Sequence, residues 1–320
     1  MKAVRAKKYG DPEVLYIANV EKPSPKEDQI LIKVHYSTVT PTDAAMRSGK
    51  PFIVRFFSGL TKPNNIFGSD FAGVVESVGE KVTKFKVGDE VYGMSPDSGA
   101  NAEYLCVNED KVVGKMPKNV SFAEATSVTD GGLTALVFLR DIAKIKKGQS
   151  ILVNGATGNV GSSAVQLAKY YGAKVTAVCS KENTEFVKSI GADKVINYEV
   201  EDFLNNGEKY DFIFDVVGKS SFGEAKKSLT EKGMFLATVP TFGVAFSTLR
   251  TMMFGNKKAA FAATGLMQTP ANLEYMTKLI ESGDFKPIID SEFEMKDVEK
   301  AHELIEKKHR RGNVVLKIGE

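Results

Sequence analysis

Residues 151–161 read Ile-Leu-Val-Asn-Gly-Ala-Thr-Gly-Asn-Val-Gly, and no other stretch of the 320-residue chain constrains its fold as much. A short apolar run stops at a glycine-spaced turn, and residues 162–172 continue with helical spacing. With no side chain at Gly155 or Gly158, the backbone of such a turn can approach a bound anion closely. The N–H groups at the start of the following helix point at that anion, and the helix dipole adds to the attraction. Gly161 lets the helix pack tightly on the sheet. The unit predicts a βαβ sheet whose first turn holds a diphosphate through Gly155, Ala156, Thr157, Gly158, Asn159 and Val160.

The segments around this turn extend the pattern. Apolar strands at Lys174–Cys179, Lys194–Asn197, Phe212–Val217, Met234–Pro240 and Lys257–Gly265 alternate with helical stretches such as Glu182–Ile190, which stops at Gly191. This alternation predicts a parallel sheet. The first third reads differently. Gln29–Thr40 alternates apolar and polar residues as a half-buried strand does. Gly68–Gly93 holds short strands spaced by Gly73, Gly79, Gly88 and Gly93, residues that suit turns or bulges, and Gly88-Asp89 is a hairpin signal. Tyr104–Val113 reads as a further strand pair. Ser121-Phe-Ala-Glu124 is a capping-box sequence that opens a helix. The tail reads helix (Ala271–Ser282), strand (Pro287–Glu294), helix (Lys296–Lys308), strand (Asn313–Ile318). Apolar residues at 295, 298, 301, 304 and 305 make one buried helix face.

Bulk properties narrow the function. The length suggests two domains. A net charge of +3 with dispersed basic residues argues against nucleic acid. Cys106 and Cys179 are the only cysteines, which excludes Cys-x-x-Cys zinc spacing and argues against a disulfide framework. The first eight residues lack the apolar core of a secretory signal, and no apolar run is long enough to span a bilayer. The expectation is a cytoplasmic protein with reduced cysteines, a small-molecule substrate and no integral membrane association.

Gly68-Ser-Asp70-Phe-Ala-Gly73-Val-Val-Glu-Ser-Val-Gly79, followed by Phe85-Lys-Val-Gly-Asp-Glu-Val-Tyr-Gly93, resembles the medium-chain dehydrogenase/reductase superfamily. Leu133-Thr-Ala135, Gly191-Ala-Asp-Lys-Val-Ile-Asn-Tyr198 and Gly312-Asn-Val-Val-Leu316 fit the same pattern in the same order. The resemblance implies an α/β chain: a GroES-like β-rich catalytic domain (residues 1–123 and 267–320) around a Rossmann doubly wound parallel-sheet domain (residues 124–266). It also implies a cleft between them for nicotinamide and substrate, and a homodimer through the edge strand near Lys257–Gly265. The chain looks closest to the zinc-free, quinone-oxidoreductase-like branch. Where zinc-dependent members carry cysteine, a His-Glu pair and a further ligand, this chain has Thr40, Ser69-Asp70 and Asp130. Hydroxyls and a carboxylate make a poor zinc site. The four-cysteine structural-zinc lobe is missing, and His35, His302 and His309 restore neither site. No zinc is expected, and without it conjugated acceptors such as quinones and enones suit the chemistry best.

The resemblance also selects residues. Thr40 and Thr42 fall in its active-site stretch, as substrate hydrogen-bond donors or as caps of the next helix. Asp43 and Arg47, four apart, are expected to pair. Ala45 stands where some quinone reductases carry tyrosine. Asp130 faces the vacated zinc position, as a general acid raised by burial or as a turn cap. At the second strand's tip, Ser180 and Lys181 favour the 2′-phosphate of NADPH, while Glu182 leaves NADH possible. Tyr198 resembles a contact near the adenosine phosphate; otherwise it covers the core. Val217 and Val239, within Val216–Lys219 and Thr238–Pro240, lie at strand ends where nicotinamide binds, and Asn313 resembles a closing-wall position. Phe242–Phe254, read as an apolar loop region, suits core or a subunit interface, a lid, or a peripheral membrane contact. The expected activity is NADPH-dependent hydride transfer to a conjugated carbonyl or quinone. A zinc-free NAD(P)-dependent alcohol or aldehyde oxidoreductase is one alternative. An NADPH-binding redox-sensing or RNA-binding protein with little catalysis is another.

Overall fold

The computed structural model describes residues 1–239, 241–307 and 310–319. Pro240, Lys308 and His309, which the sequence reading placed at a strand end, a helix end and among the histidines, lie outside the described residues. The chain forms two compact units, Met1–Asp130 with Gln268–Glu320, and Gly131–Met267.

The first unit carries β1 (Lys2–Ala6), β2 (Leu15–Asn19), β3 (Gln29–Val39), β4 (Asp70–Val78), β5 (Glu90–Met94), β6 (Tyr104–Asn108) and β7 (Val113–Lys115). The second carries β8 (Ser150–Asn154), β9 (Lys174–Cys179), β10 (Lys194–Asn197), β11 (Tyr210–Asp215), β12 (Leu229–Ala237) and β13 (Lys258–Phe261). The chain then returns to the first unit for β14 (Ile289–Glu294) and β15 (Asn313–Lys317).

The first unit's main sheet runs β14-β15-β3-β4-β5-β7, with β6 also on β3, while β1 and β2 pair separately. All its pairings are antiparallel except β14 with β15. Ile30, Ile32, Phe71, Val75, Val91, Leu105 and Leu316 form its core with Val298, Ala301 and Ile305 of the helix Val298–Glu306. That is the apolar face expected from the spacing at 295–305.

Four local expectations are corrected. Gly73 and Gly93 lie inside β4 and β5, where a Cβ would meet Lys33 O and Val112 O, each at 2.1 Å. Both admit a neighbouring strand; Gly73 does so at a register shift between β3 and β4, where the bulge reading holds, whereas Gly93 lies in unbroken register and is the one corrected. Gly88 has a φ of 88° but closes a long connection from Val78 to Glu90, not a two-residue hairpin. The strands within 104–113 do not pair with each other: β6 joins β3 and β7 joins β5. Phe242–Met253 is a helix capped by Thr241, not a loop. Its Val244 and Thr251 are buried, but Phe242, Phe246, Leu249, Met252 and Met253 are exposed, so it is not core within this chain.

The second unit's sheet is wholly parallel and runs β10-β9-β8-β11-β12-β13. Relabelled from its own first strand this is 3-2-1-4-5-6, the doubly wound dinucleotide-binding order. Leu152, Val178, Ile196, Ile213 and Phe235 supply its core. Among the described residues no helix is long and apolar enough to cross a membrane.

Candidate active site

The glycine turn leaves β8 at the point where the strand order reverses, the place at which open parallel sheets bind ligands. Its three glycines do different work. Gly155 has a φ of 82°, and a Cβ there would lie 2.6 Å from Val217 Cγ2. A Cβ on Gly161 would lie 2.0 Å from Gly155 O, so the helix Asn159–Tyr170 rests directly on the turn. Gly158 has an ordinary φ of −72°, and its Cβ would meet nothing nearer than Gly155 O at 3.9 Å. It opens onto space at the helix N-cap, where the cap residue itself supplies no side-chain hydrogen bond to the first-turn N–H groups. A helix N-terminus of this kind favours an anion through its N–H groups and dipole. Ala156 is buried, and Thr157, Asn159 and Val160 are half-buried around the turn.

Ser180 and Tyr198 come together beside this turn, at the ends of β9 and β10. Tyr198 N–H donates to Cys179 O at 3.3 Å. Burial raises the tyrosine pKa, the Glu199 and Glu182 charges raise it further, and hydrogen bonding with Ser180 opposes them. Tyr198 is 45% exposed, so it does not merely cover the core. Lys181 and Glu182 are exposed next to it, with Ser180 Oγ 3.5 Å from Glu182 Oε1. Val217 and Val239 are part-exposed on the loops after β11 and β12. These loops touch: a Cβ on Gly218 would lie 2.7 Å from Val239.

Sequence reasoning missed the group that holds this loop. Asp215, fully buried at the end of β11, accepts from Asn154 Nδ2 (3.0 Å), Val217 N–H (3.0 Å), Gly218 N–H (3.1 Å) and Ser220 N–H (2.8 Å). An acid directly after the apolar run Phe-Ile-Phe, two residues before a Val-Gly step, was the available signal.

The first unit gathers three carboxyl groups. Thr38 Oγ1 donates to Asp70 Oδ2 at 2.7 Å. Thr40 caps the helix Pro41–Ser48: its N–H and Oγ1 donate to Asp43 Oδ2 at 2.9 and 2.7 Å, and Asp43 N–H donates back at 3.3 Å. The Thr40 proton is therefore committed to Asp43, which favours the cap over the substrate-donor reading. Thr42, by contrast, is exposed. The expected pairing of Asp43 with Arg47 is corrected. Asp43 Oδ1 accepts from Gly68 N–H at 3.0 Å, while fully buried Arg47 donates to Gly10 O and pairs with Glu306.

Burial sets the electrostatics of this cluster. It lifts the Asp70 carboxyl well above the usual range and the Asp130 charge adds to it, while hydrogen bonds from Thr38 and Thr129 pull the other way. Asp130 is pushed up to about 6, first by burial and then by the Asp43 charge. Asp43 is raised by burial against its hydrogen bonds from Thr40 and Gly68. Such a cluster retains a proton at pH values where an isolated carboxylate would have lost it. Asn313, at the start of β15, commits its N–H and Nδ2 to Ile288 O, each at 3.1 Å.

The residues at the zinc-ligand positions do not fit zinc. Thr40 is engaged with Asp43 and Asp70 with Thr38, and among the described residues neither histidine nor cysteine joins them in a metal-holding group. His302 is buried edge-on to Phe67, and His35 stacks on Phe122 at 4.7 Å. Among the described residues no three His, Cys, Asp or Glu are arranged to hold a metal.

Residues 26–136 match the family described as alcohol dehydrogenase GroES-like domain, and residues 190–316 the family described as zinc-binding dehydrogenase. The chain is 35% identical over 336 residues to the NADPH-dependent alkenal/one oxidoreductase, chloroplastic, of Arabidopsis thaliana, covering 99% of this chain and 79% of that protein. It is 30% identical over 317 residues to the quinone oxidoreductase of Homo sapiens, covering 95% and 94%. The solved quinone oxidoreductase from Coxiella burnetii is similar throughout, with a TM-score of 0.90 and 31% identity over 100% of this chain and 99% of that one. On motifs, strand order and relatives together, the chain belongs to the quinone-oxidoreductase-like branch of the medium-chain dehydrogenase/reductase superfamily, a family of oxidoreductases.

Proposed function

We propose that the chain is a zinc-independent reductase that takes NADPH as hydride donor and a quinone, enone or related conjugated carbonyl as acceptor. The observation that carries this is the glycine turn at the sheet's switch point, open at Gly158 and flanked by Ser180 and Tyr198. Relatives named for NADPH-dependent alkenal/one reduction and for quinone reduction support it. In this reading Gly155–Val160 hold the diphosphate, Ser180, Lys181 and Tyr198 the 2′-phosphate end, and Val217 and Val239 flank the nicotinamide. NADPH, when bound, supplies the hydride.

The other requirement is a proton. Asp130 holds one on its carboxyl for release to the reduced acceptor, and the Asp43 charge adds to burial in making its ionised form less favourable. Thr40 positions Asp43 instead of donating to substrate, and exposed Thr42 remains a candidate donor. Asn313 supports the catalytic unit through β15 and contributes at most a closing wall. The Met1–Asp130 and Gln268–Glu320 unit is the catalytic domain in this proposal, and Gly131–Met267 the cofactor domain. Two free cysteines suit a reducing, cytoplasmic setting. The outer edge of β13 and the exposed apolar helix Phe242–Met253, which packs against that strand, suit a homodimer.

One observation favours NADH instead: Glu182 lies within reach of Ser180 at the tip of β9, where an acid would bind a ribose diol. Oxidation of each reduced cofactor, followed across a panel of quinones, enones and aldehydes, tests the whole reading. NADPH-dependent turnover of quinones or enones supports it. Turnover of simple aldehydes alone, or cofactor binding without turnover, overturns it in favour of an alcohol/aldehyde oxidoreductase or a redox-sensing protein respectively.

A further inference from the structure

We infer that Asp215 is a positioning residue for the nicotinamide half of the cofactor, acting through the loop Val216–Ser220; this rests on the cofactor reading above. Asp215 is fully buried and touches no open space itself. Its two carboxylate oxygens collect four hydrogen bonds, three of them from N–H groups of one loop, those of Val217, Gly218 and Ser220. The fourth comes from Asn154, the last residue of β8, one position before the glycine turn. One carboxylate thus ties the loop after β11 to the strand that carries the diphosphate cradle. A carboxylate suits this position because it only accepts, whereas an amide would turn an N–H donor toward another donor.

The loop so held is shaped against the turn. Val216 and Val217 occupy the space a Cβ on Gly155 would need, with Val217 Cγ2 at 2.6 Å. Gly218, at a φ of 75°, is closed in by Val239, whose Cβ lies 2.7 Å from where its own would stand. The loop therefore has little freedom on the sides it shares with the turn and with the loop after β12. Part-exposed Val217 and Val239 present an apolar wall beside the phosphate cradle. Ser180, Lys181 and Tyr198 lie across the switch point, at the tips of β9 and β10. A dinucleotide laid across that point puts its adenosine half on the β9 side and its nicotinamide half on the β11 side. Asp215 therefore acts on one half of the ligand only.

That asymmetry supplies the test. Binding of NADPH and of adenosine 2′,5′-bisphosphate, which carries only the adenosine end, is measured by titration calorimetry on the native chain and on Asp215→Asn. The expected result is a rise of tenfold or more in the NADPH Kd with less than a twofold change for the bisphosphate. Gly218→Ala, which keeps Asp215 but forces the loop away from Val239, gives the same split and serves if Asp215→Asn does not fold. Equal weakening of both ligands would mean that Asp215 only supports the fold, and unchanged NADPH binding would mean that the loop does not touch the nicotinamide half. Either overturns the inference while leaving the cofactor reading intact. Failure of the native chain to bind either ligand overturns the cofactor reading and the inference with it.

Discussion

In the proposed mechanism Asp130 serves two ends that oppose each other. A carboxyl pushed up to about 6 by burial keeps its proton to higher pH than a free carboxylate, as the proposed proton donor requires, but its ionised form is disfavoured in the folded state. The folded value lies above the unfolded one. Its stabilising contribution is therefore complete below the unfolded value near ~4 and is lost as pH rises through about 6. Asp130→Asn removes both effects. Turnover should fall roughly 100-fold, while NADPH affinity stays within a factor of about 2. At pH 8 the variant should be more stable than the native chain by about 1–3 kcal/mol, a gain that disappears by about pH 4. Steady-state rates and thermal melts at both pH values check this. Unchanged turnover would assign Asp130 to the fold alone. The place of Asp130 beside Asp70 and Asp43 was legible because its position follows from motif order. The commitment of Thr40 to Asp43 was harder to read, since a cap and a substrate donor require the same hydroxyl in the same place. Asp215 escaped notice because its partners are mostly loop N–H groups, which no side-chain pattern announces.

Strand–turn–helix elements repeat along the second unit, and the turn after β8 separates folding from binding within seven residues. Gly161 is needed by the fold, because its missing Cβ leaves room for Gly155 O. Gly158 is not needed by the fold in this way, because a Cβ there would meet nothing nearer than Gly155 O at 3.9 Å; in the proposed reading that space belongs to the ligand. Gly161→Ala should therefore destabilise the chain by about 1–3 kcal/mol through overpacking. Gly158→Val should leave the melting temperature nearly unchanged yet raise the NADPH Kd more than about tenfold, as its side chain fills the anion site. Equal effects of the two on stability would show that the opening at Gly158 is not a binding feature. Periodicity made elements of this kind readable. The face at Met295, Val298, Ala301 and Ile305 is buried as its spacing requires. Periodicity failed at Phe242–Met253, where apolar residues on the outer face hide the helical stripe. It also gave no partner for β6 or β7, which were read as a pair, because local sequence identifies a strand but not its partner.

At the scale of the whole chain, two units with separate cores allow ligand binding to be assigned by what it stabilises. Every proposed cofactor residue except Asn313 lies in Gly131–Met267. The doubly wound order of that unit was foreshadowed by alternating strands and helices, since parallel strands need crossovers. The mixed sheet of the first unit was not, because short strands separated by glycines permit many pairings. NADPH at about 100 times its Kd should add roughly 2.7 kcal/mol to the unit that binds it, a rise of about 5–10 °C in that unit's transition. NADH at the same concentration should give a smaller shift, because Ser180 and Lys181 favour a 2′-phosphate that NADH lacks. Added zinc should give none, since Thr40 and Asp70 are already engaged with Asp43 and Thr38 and offer neither thiolate nor imidazole. Turnover after dialysis against EDTA should stay within about a factor of 2 of the untreated value. A larger shift with NADH would reassign the tip of β9 to Glu182. A zinc-dependent shift, or activity lost to the chelator and restored by zinc, would require the carboxyl cluster around Asp70 and Asp130 to open and bind metal, ending its role as a proton store.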